Sequence, residues 1–226
     1  MTRTTMTCLV LVLLFLGTLT FTYPACCQTV QLPQTGQTKC YNTAGTEIAC
    51  AGTGQDGDIQ AGVAWPNPRF TVSGECVTDN LTGLMWPKNA NLVGLNLLTW
   101  NEAIDFANNL TLCGHSDWRL PNMNELKSLI NYDKVDNRAW LITQGFANLQ
   151  TNDFYVSSTT VAERPGEAWV VALSDGYNST GNKTGRSNAV WPARSGNGGA
   201  VAQIWRTGQT TSYRTGDDGD LRAGVA

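Results

Sequence analysis

The chain has a single histidine, His115, so a Ser-His-Asp or Cys-His catalyst would have to be built on it. It stands in CGHSDW, between two helical stretches, and reads as a turn residue. Gly-x-Ser-x-Gly, phosphate-loop and HExxH patterns are absent from the sequence. Glu125, Asp133 and Asp136 are accounted for by helix capping and solvation, and no carboxylate spacing argues for glycosidase chemistry. The expectation is a protein that is not an enzyme.

Three other sets of residues have types and spacings suited to binding. In TGQDGD and TGDDGD, Asp56 and Asp58, and Asp217, Asp218 and Asp220, are closely spaced carboxylates with glycine, which suits an oxygen-ligated calcium loop. The spacing is not that of an EF-hand, and a tight turn whose aspartates bond their own backbone is the competing reading. In DWRLP, Asp117 and Arg119 flank Trp118 and suit either a structural ion pair or a polar ligand contact. In GYNSTGNKTGRSN at 176–188, read as a long polar loop, Tyr177, Asn178, Asn182, Lys183 and Arg186 form the best ligand-facing set. Apart from calcium at these aspartates, no cofactor is expected.

Composition points the same way. Charged residues are 15 % of the chain and the net charge is −3, so no basic field attracts nucleic acid or anionic lipid. Threonine (28) and asparagine (19) outnumber all 33 charges, giving a surface of neutral hydroxyls and amides. Eight tryptophans are many for 226 residues. Trp86, Trp100, Trp118, Trp169 and Trp191 read as core, each needing a partner for its indole N–H. Trp65, Trp140 and Trp205 are left for exposure and sugar stacking.

The elements that position these residues read as α+β. Residues 70–86 alternate and turn at TDNLTG, a hairpin. TWNEAIDFANNL at 99–110 is a helix with a capping box, Thr99 and Glu102, and an apolar face of Trp100, Ala103, Ile104, Ala107 and Leu110. Residues 122–131 form a second helix, boxed by Asn122 and Glu125, with Leu126, Leu129 and Ile130 inward. FYVSSTT and AWVVALSDG are strands, paired or near neighbours, and NAVWPARSG is a third late strand.

The N-terminus has Arg3, then an apolar run from Cys8 to Leu16, and reads as a signal peptide over residues 1–25. A lipid anchor at Cys26 is the less favoured variant, and no membrane span is expected in the mature chain. Export puts the chain in an oxidising compartment. With Cys8 removed and Cys26 and Cys27 at the junction, Cys40, Cys50, Cys76 and Cys113 remain. Proximity favours Cys40–Cys50 and Cys76–Cys113, worth roughly 3 and 4 kcal/mol on the chain-entropy view, although four cysteines allow three connectivities.

The chain also repeats part of itself. TGQTKCYNTAGTEIACAGTGQDGDIQAGVA, residues 35–64, returns as TGQTTSYRTGDDGDLRAGVA at 207–226, shorter by ten residues. The extra stretch spans Cys40–Cys50, and Cys40 aligns with Ser212. Joint loss of both cysteines supports their pairing. The chain therefore divides into the leader, a 26–64 segment, a main domain over 65–197, and a second copy of the segment within 198–226. That copy either opens a further domain of a tandem array or is a finished part that pairs within or between chains.

VTDNLTGLMW (77–86), TWNEAIDFANNL, DWRLPNMNELKSL (117–129), FYVSSTT (154–160), AWVVALSDG (168–176) and VWPARSG (190–196) occur in an order that resembles the Lcl C-terminal domain family. The resemblance implies an exported or envelope-associated bacterial domain, often in tandem and mostly without known activity. The family takes its name from a collagen-like adhesin that binds sulfated glycans as a trimer through positive charge. A charge of −3 supplies no such field, so the expected partner is a glycan or other cell-envelope component, with self-association as a further expectation. More distantly, the W-x-x-A helix followed by WRLP resembles the formylglycine-generating-enzyme branch of the C-type-lectin-like fold. That implies a compact domain with two helices on a small twisted antiparallel sheet. The enzyme branch uses late reactive cysteines, and none follows Cys113 here.

Overall fold

The structure, a computed structural model, describes residues 31–225 apart from 95, 151–153, 187 and 197–198. The expectations for the signal peptide and for lipidation at Cys26 fall outside those residues. The first repeated segment forms a two-strand ribbon, β1 (Cys40–Tyr41) and β2 (Glu47–Ile48), followed by a one-turn helix, α1 (Asp56–Ile59). The main body opens with β3 (Phe70–Ser73), β4 (Cys76–Asp79) and β5 (Leu84–Pro87), an antiparallel meander. The predicted hairpin is thus three strands, because Gly74 and Glu75 also make a turn.

Both predicted capping boxes form. Thr99 accepts from the Glu102 N–H and Glu102 reaches back to start α2 (Trp100–Asn108), and Asn122 and Glu125 do the same for α3 (Met123–Lys127). Helix α4 (Asn137–Thr143) follows, with the Asp136 side chain accepting from the Arg138 and Ala139 N–H groups. Strands β6 (Tyr155–Thr160) and β7 (Glu167–Val171) pair antiparallel, as expected. Strand β8 (Asn178–Asn182) pairs in turn with β7. This corrects the reading of 176–188 as one long loop. Strand β9 (Arg194–Ser195) joins β5, not β6–β8, and the one-turn helix α5 (Asp218–Leu221) lies in the second repeated segment.

The fold class is α+β, as expected, but the strands divide into sheets β3-β4-β5-β9 and β6-β7-β8. Every residue of β6 is buried. One core lies around Trp86, Trp191, Phe146, Tyr155 and Leu126. The Trp86–Trp191 ring centroids are 5.2 Å apart, and Phe146 meets Trp191 edge-on at 5.1 Å. Such pairs add about 0.5–1.5 kcal/mol beyond area burial. The second core packs Trp100, Ala103, Ile104 and Ala107 of α2 against Val156, Ala168 and Val170. Most of the core indoles find acceptors: Trp100 on the Ser157 carbonyl at 3.0 Å, Trp118 on the His115 carbonyl at 3.2 Å, and Trp191 on the Pro87 carbonyl at 2.9 Å. The Trp86 N–H is buried without a partner among the described residues.

Both expected disulfides form, Cys40–Cys50 and Cys76–Cys113. Among the described residues, no helix is long and apolar enough to cross a membrane.

Candidate binding site at the seam between body and tail

The second repeated segment folds in the same way as the first. In each copy a threonine hydroxyl bonds the first aspartate of the DGD turn: Thr35 with Asp56, Thr207 with Asp218. The last aspartate accepts from a glycine N–H, Asp58 from Gly54 at 3.0 Å and Asp220 from Gly216 at 2.8 Å. The turn glycine lies so close to backbone that a Cβ would overlap the Lys39 carbonyl at Gly57 and the Thr211 carbonyl at Gly219. A parallel bridge closes each copy, Pro33 to Val63 and Trp205 to Val225.

The carboxylate oxygens of both copies accept hydroxyl and backbone N–H groups, as in the tight-turn reading. Among the described residues no group of three His, Cys, Asp or Glu converges to hold a metal ion.

The tail copy docks on the body through polar contacts. The Thr159 hydroxyl donates to Asp218 at 2.8 Å, and the Gln209 side chain accepts from the Thr160 N–H at 2.6 Å. Asn122 and Asn124 donate to the Ala223 and Trp205 carbonyls at 3.1 and 2.9 Å. Arg214 pairs with Asp105 of α2. Asp218 is only 2 % exposed, and burial pushes its carboxyl above the ordinary range against the two threonine hydroxyls that favour the charge. Behind it, Arg119 makes a two-pronged pair with Glu125 at 2.6 and 2.5 Å. Burial opposes the Arg119 charge, but Glu125, with help from Asp218, raises its pKa above the usual arginine value.

Between the β6–β7 turn and this tail lies a cavity of ≈ 590 Å³, within the range that holds small ligands. One wall is Thr159, Thr160 and Trp169; the other is Thr207, Gln209 and Tyr213. Trp169, expected in the core, is half-buried and lines this space. The strand alternation explains it: Ala168 and Val170 face α2, so Trp169 faces the other way. Lys183 fixes Tyr213 in place. Its ammonium sits 3.8 Å from the Trp100 ring centroid and 4.6 Å from that of Tyr213, and donates to the Thr160 hydroxyl at 2.7 Å. Burial lowers its pKa. A second cavity of ≈ 530 Å³ lies between β5 and the end of the tail, with Arg119 and Glu125 in its lining.

A family model described as the Lcl C-terminal domain matches residues 75–194. The chain belongs to the Lcl C-terminal domain family. A search of curated proteins finds no match to the chain. Both repeated segments lie outside the matched span, so the larger cavity has one wall from the family domain and one from the flanking tail.

The structure separates the residues singled out from sequence. Lys183 and Asp218 meet at the seam through Thr160 and Thr159, and Arg119 stands behind them. Arg186 instead pairs with Glu102 and donates to the Leu97 carbonyl at 3.1 Å. Asp117 pairs with Arg194 at 2.6 Å, and this hydrogen bond is the main reason its carboxyl sits below the ordinary range. Tyr177 is 63 % exposed beside Phe154. Tyr177 and Asn178 lie at one end of β8 and Asn182 and Lys183 at the other, about 15 Å away at strand rise. Asn182 caps the next turn by accepting from the Thr184 N–H at 2.9 Å. Trp169, Tyr213, Gln209 and Thr160 were not anticipated as a set. The repeat itself was the one available signal, since it marked 207–226 as a structured segment.

Proposed function

We propose that this chain is an exported, non-enzymatic, adhesin-like binding module that takes a neutral carbohydrate into the seam cavity. One observation carries the reading. The cavity is walled by two aromatic rings, Trp169 and Tyr213, with Thr160, Thr210 and Thr211 also in its lining. Aromatic faces take the C–H face of a sugar ring, and the hydroxyls of these three threonines exchange hydrogen bonds with its hydroxyls. Family membership supports a surface-associated module, and the two disulfides suit an oxidising compartment. The net charge of −3 favours neutral over sulfated sugars.

The test is a glycan array followed by calorimetry with the disulfide-intact protein and its Trp169→Ala and Tyr213→Ala variants. Binding of neutral oligosaccharides is expected, with each variant costing about 2 kcal/mol, roughly 30-fold in affinity. No binding by the parent protein, or binding indifferent to both substitutions, overturns the reading.

A further inference from the structure

The two copies share one internal structure, yet opposite sides of it are covered. In copy 1, residues 31–64, the side around Gly36 lies on the body: a Cβ at Gly36 would overlap the Trp65 ring and crowd Asn131. Beside it the Tyr132 N–H donates to the Thr35 carbonyl at 3.1 Å and Asp133 accepts from the Thr38 N–H at 3.1 Å. The indole N–H of Trp65, the residue that follows the segment, donates to the Gln34 carbonyl at 2.8 Å. In copy 2, the matching Gly208 has no atom within 4 Å of where a Cβ would stand, and it is exposed where Gly36 is half-buried.

The other side shows the reverse. In copy 2, a Cβ at Gly216 would overlap the Asn108 amide, and Asp218 and Gln209 hold Thr159 and Thr160. In copy 1, the matching Gly54 has nothing within 4 Å, and the matching Asp56 is less buried. Each copy therefore leaves bare the side that the other copy uses.

We propose that the repeated segment is a two-sided joint between units of this family. One side seats on the unit before it, as copy 2 sits on Thr159, Asn108 and Asp105. The other seats on the unit after it, as copy 1 sits on Trp65, Tyr132 and Asp133. The bare Gly208 side of copy 2 is the seat for a second family unit, joined to it as the body is joined to copy 1. The occupant is read from the molecule itself, which holds the same surface of the same motif filled by the Trp65–Asp133 face. Gly208 and Thr210 also line the seam cavity, so the seat adjoins the proposed sugar site; the distance between bodies tests the joint, and sugar affinity in the Trp169→Ala and Tyr213→Ala variants tests the site.

The test is a tandem protein in which residues 65–225 follow Ala226, with one spin label in each body. Electron–electron resonance should give a single narrow inter-body distance. Gly208→Asn puts a side chain into the seat at a backbone conformation that asparagine tolerates. Asp133→Ala in the second body removes the anchor from the other side. Loss of the narrow distance with either substitution, with the 226-residue chain carrying Gly208→Asn still folded and its Thr160 N–H still protected, supports the proposal. If Gly208→Asn fails to fold, Asp133→Ala decides alone. A broad distribution in the unsubstituted tandem overturns the joint, and so does a narrow one that survives both substitutions.

Discussion

Copy 1 and copy 2 of the repeated segment are built alike and held differently. Copy 1 carries a disulfide and a ribbon, with its ribbon residues Tyr41 to Ala49 exposed. Copy 2 has neither, but Gly216, Asp217, Asp218 and Gly219 are all buried. The copy with the thinner packing has the covalent staple, which is where a cross-link adds most to a segment too small to bury its own core. The bonds inside the motif, Thr35 to Asp56 and Thr207 to Asp218, are shared. The surfaces beneath differ: an Arg69 guanidinium 4.0 Å from the Trp65 ring centroid under copy 1, the Arg119–Glu125 pair under copy 2.

The largest expected effect that separates the copies comes from Arg119→Met. It leaves the Glu125 carboxylate buried and unpaired and should cost about 3–5 kcal/mol, measured by urea unfolding, with copy 2 released and copy 1 still docked. Next, replacing Cys40 and Cys50 together with alanine should cost about 3 kcal/mol. Proteolytic nicking should then appear near residues 40–50 and not in copy 2. Smaller still is the glycine pair. The two glycines have φ of 86° and 87°, so both substitutions carry the same backbone cost, and Gly36→Asn, which also forces Trp65 and Asn131 aside, should cost about 1–3 kcal/mol more than Gly208→Asn. Equal melting shifts for the two would erase the difference between covered and bare sides.

The smallest effect is in pH and has opposite signs in the two copies. Burial works against the Asp133 charge, but the Thr38 N–H and nearby Lys134 hold its pKa below the ordinary range. Its contribution is present above the ordinary carboxylate value, about 3.9, and is lost as pH falls through the lowered value. The Asp218 pKa is raised by burial, so its contribution is complete at low pH and lost as pH rises through the raised value. Acidification should first tighten copy 2 and then, further down, loosen copy 1. Amide signals of Thr160 and Thr38 followed through an acid titration check the order.

Much of the frame was legible in the sequence because local rules decide it. The capping boxes at Thr99 and Asn122 set two helix starts, and the self-comparison paired Cys40 with Cys50. Strand β8 was not legible: Asn-Ser-Thr-Gly-Asn has no apolar alternation, and the strand is held through backbone pairing with β7. Helix α4 was passed over although Asp136 is a cap signal, because Asn137 and Leu141 alone are buried in its seven residues. Trp169 was assigned to the core because alternation tells which residues share a face and not what covers it. At the seam the cover comes from residues 207–213, some forty positions away in the chain.

The central claim is that each copy is docked by one face, and amide hydrogen exchange tests it most directly. The Thr160 N–H is held by Gln209 of copy 2, and the Tyr132 N–H by Thr35 of copy 1. Both should be protected in the intact chain, and Asp218→Ala should open Thr160 to exchange while leaving Tyr132 slow. Unprotected exchange at Thr160 in the unsubstituted protein, or equal loss at both amides in the variant, would contradict the account.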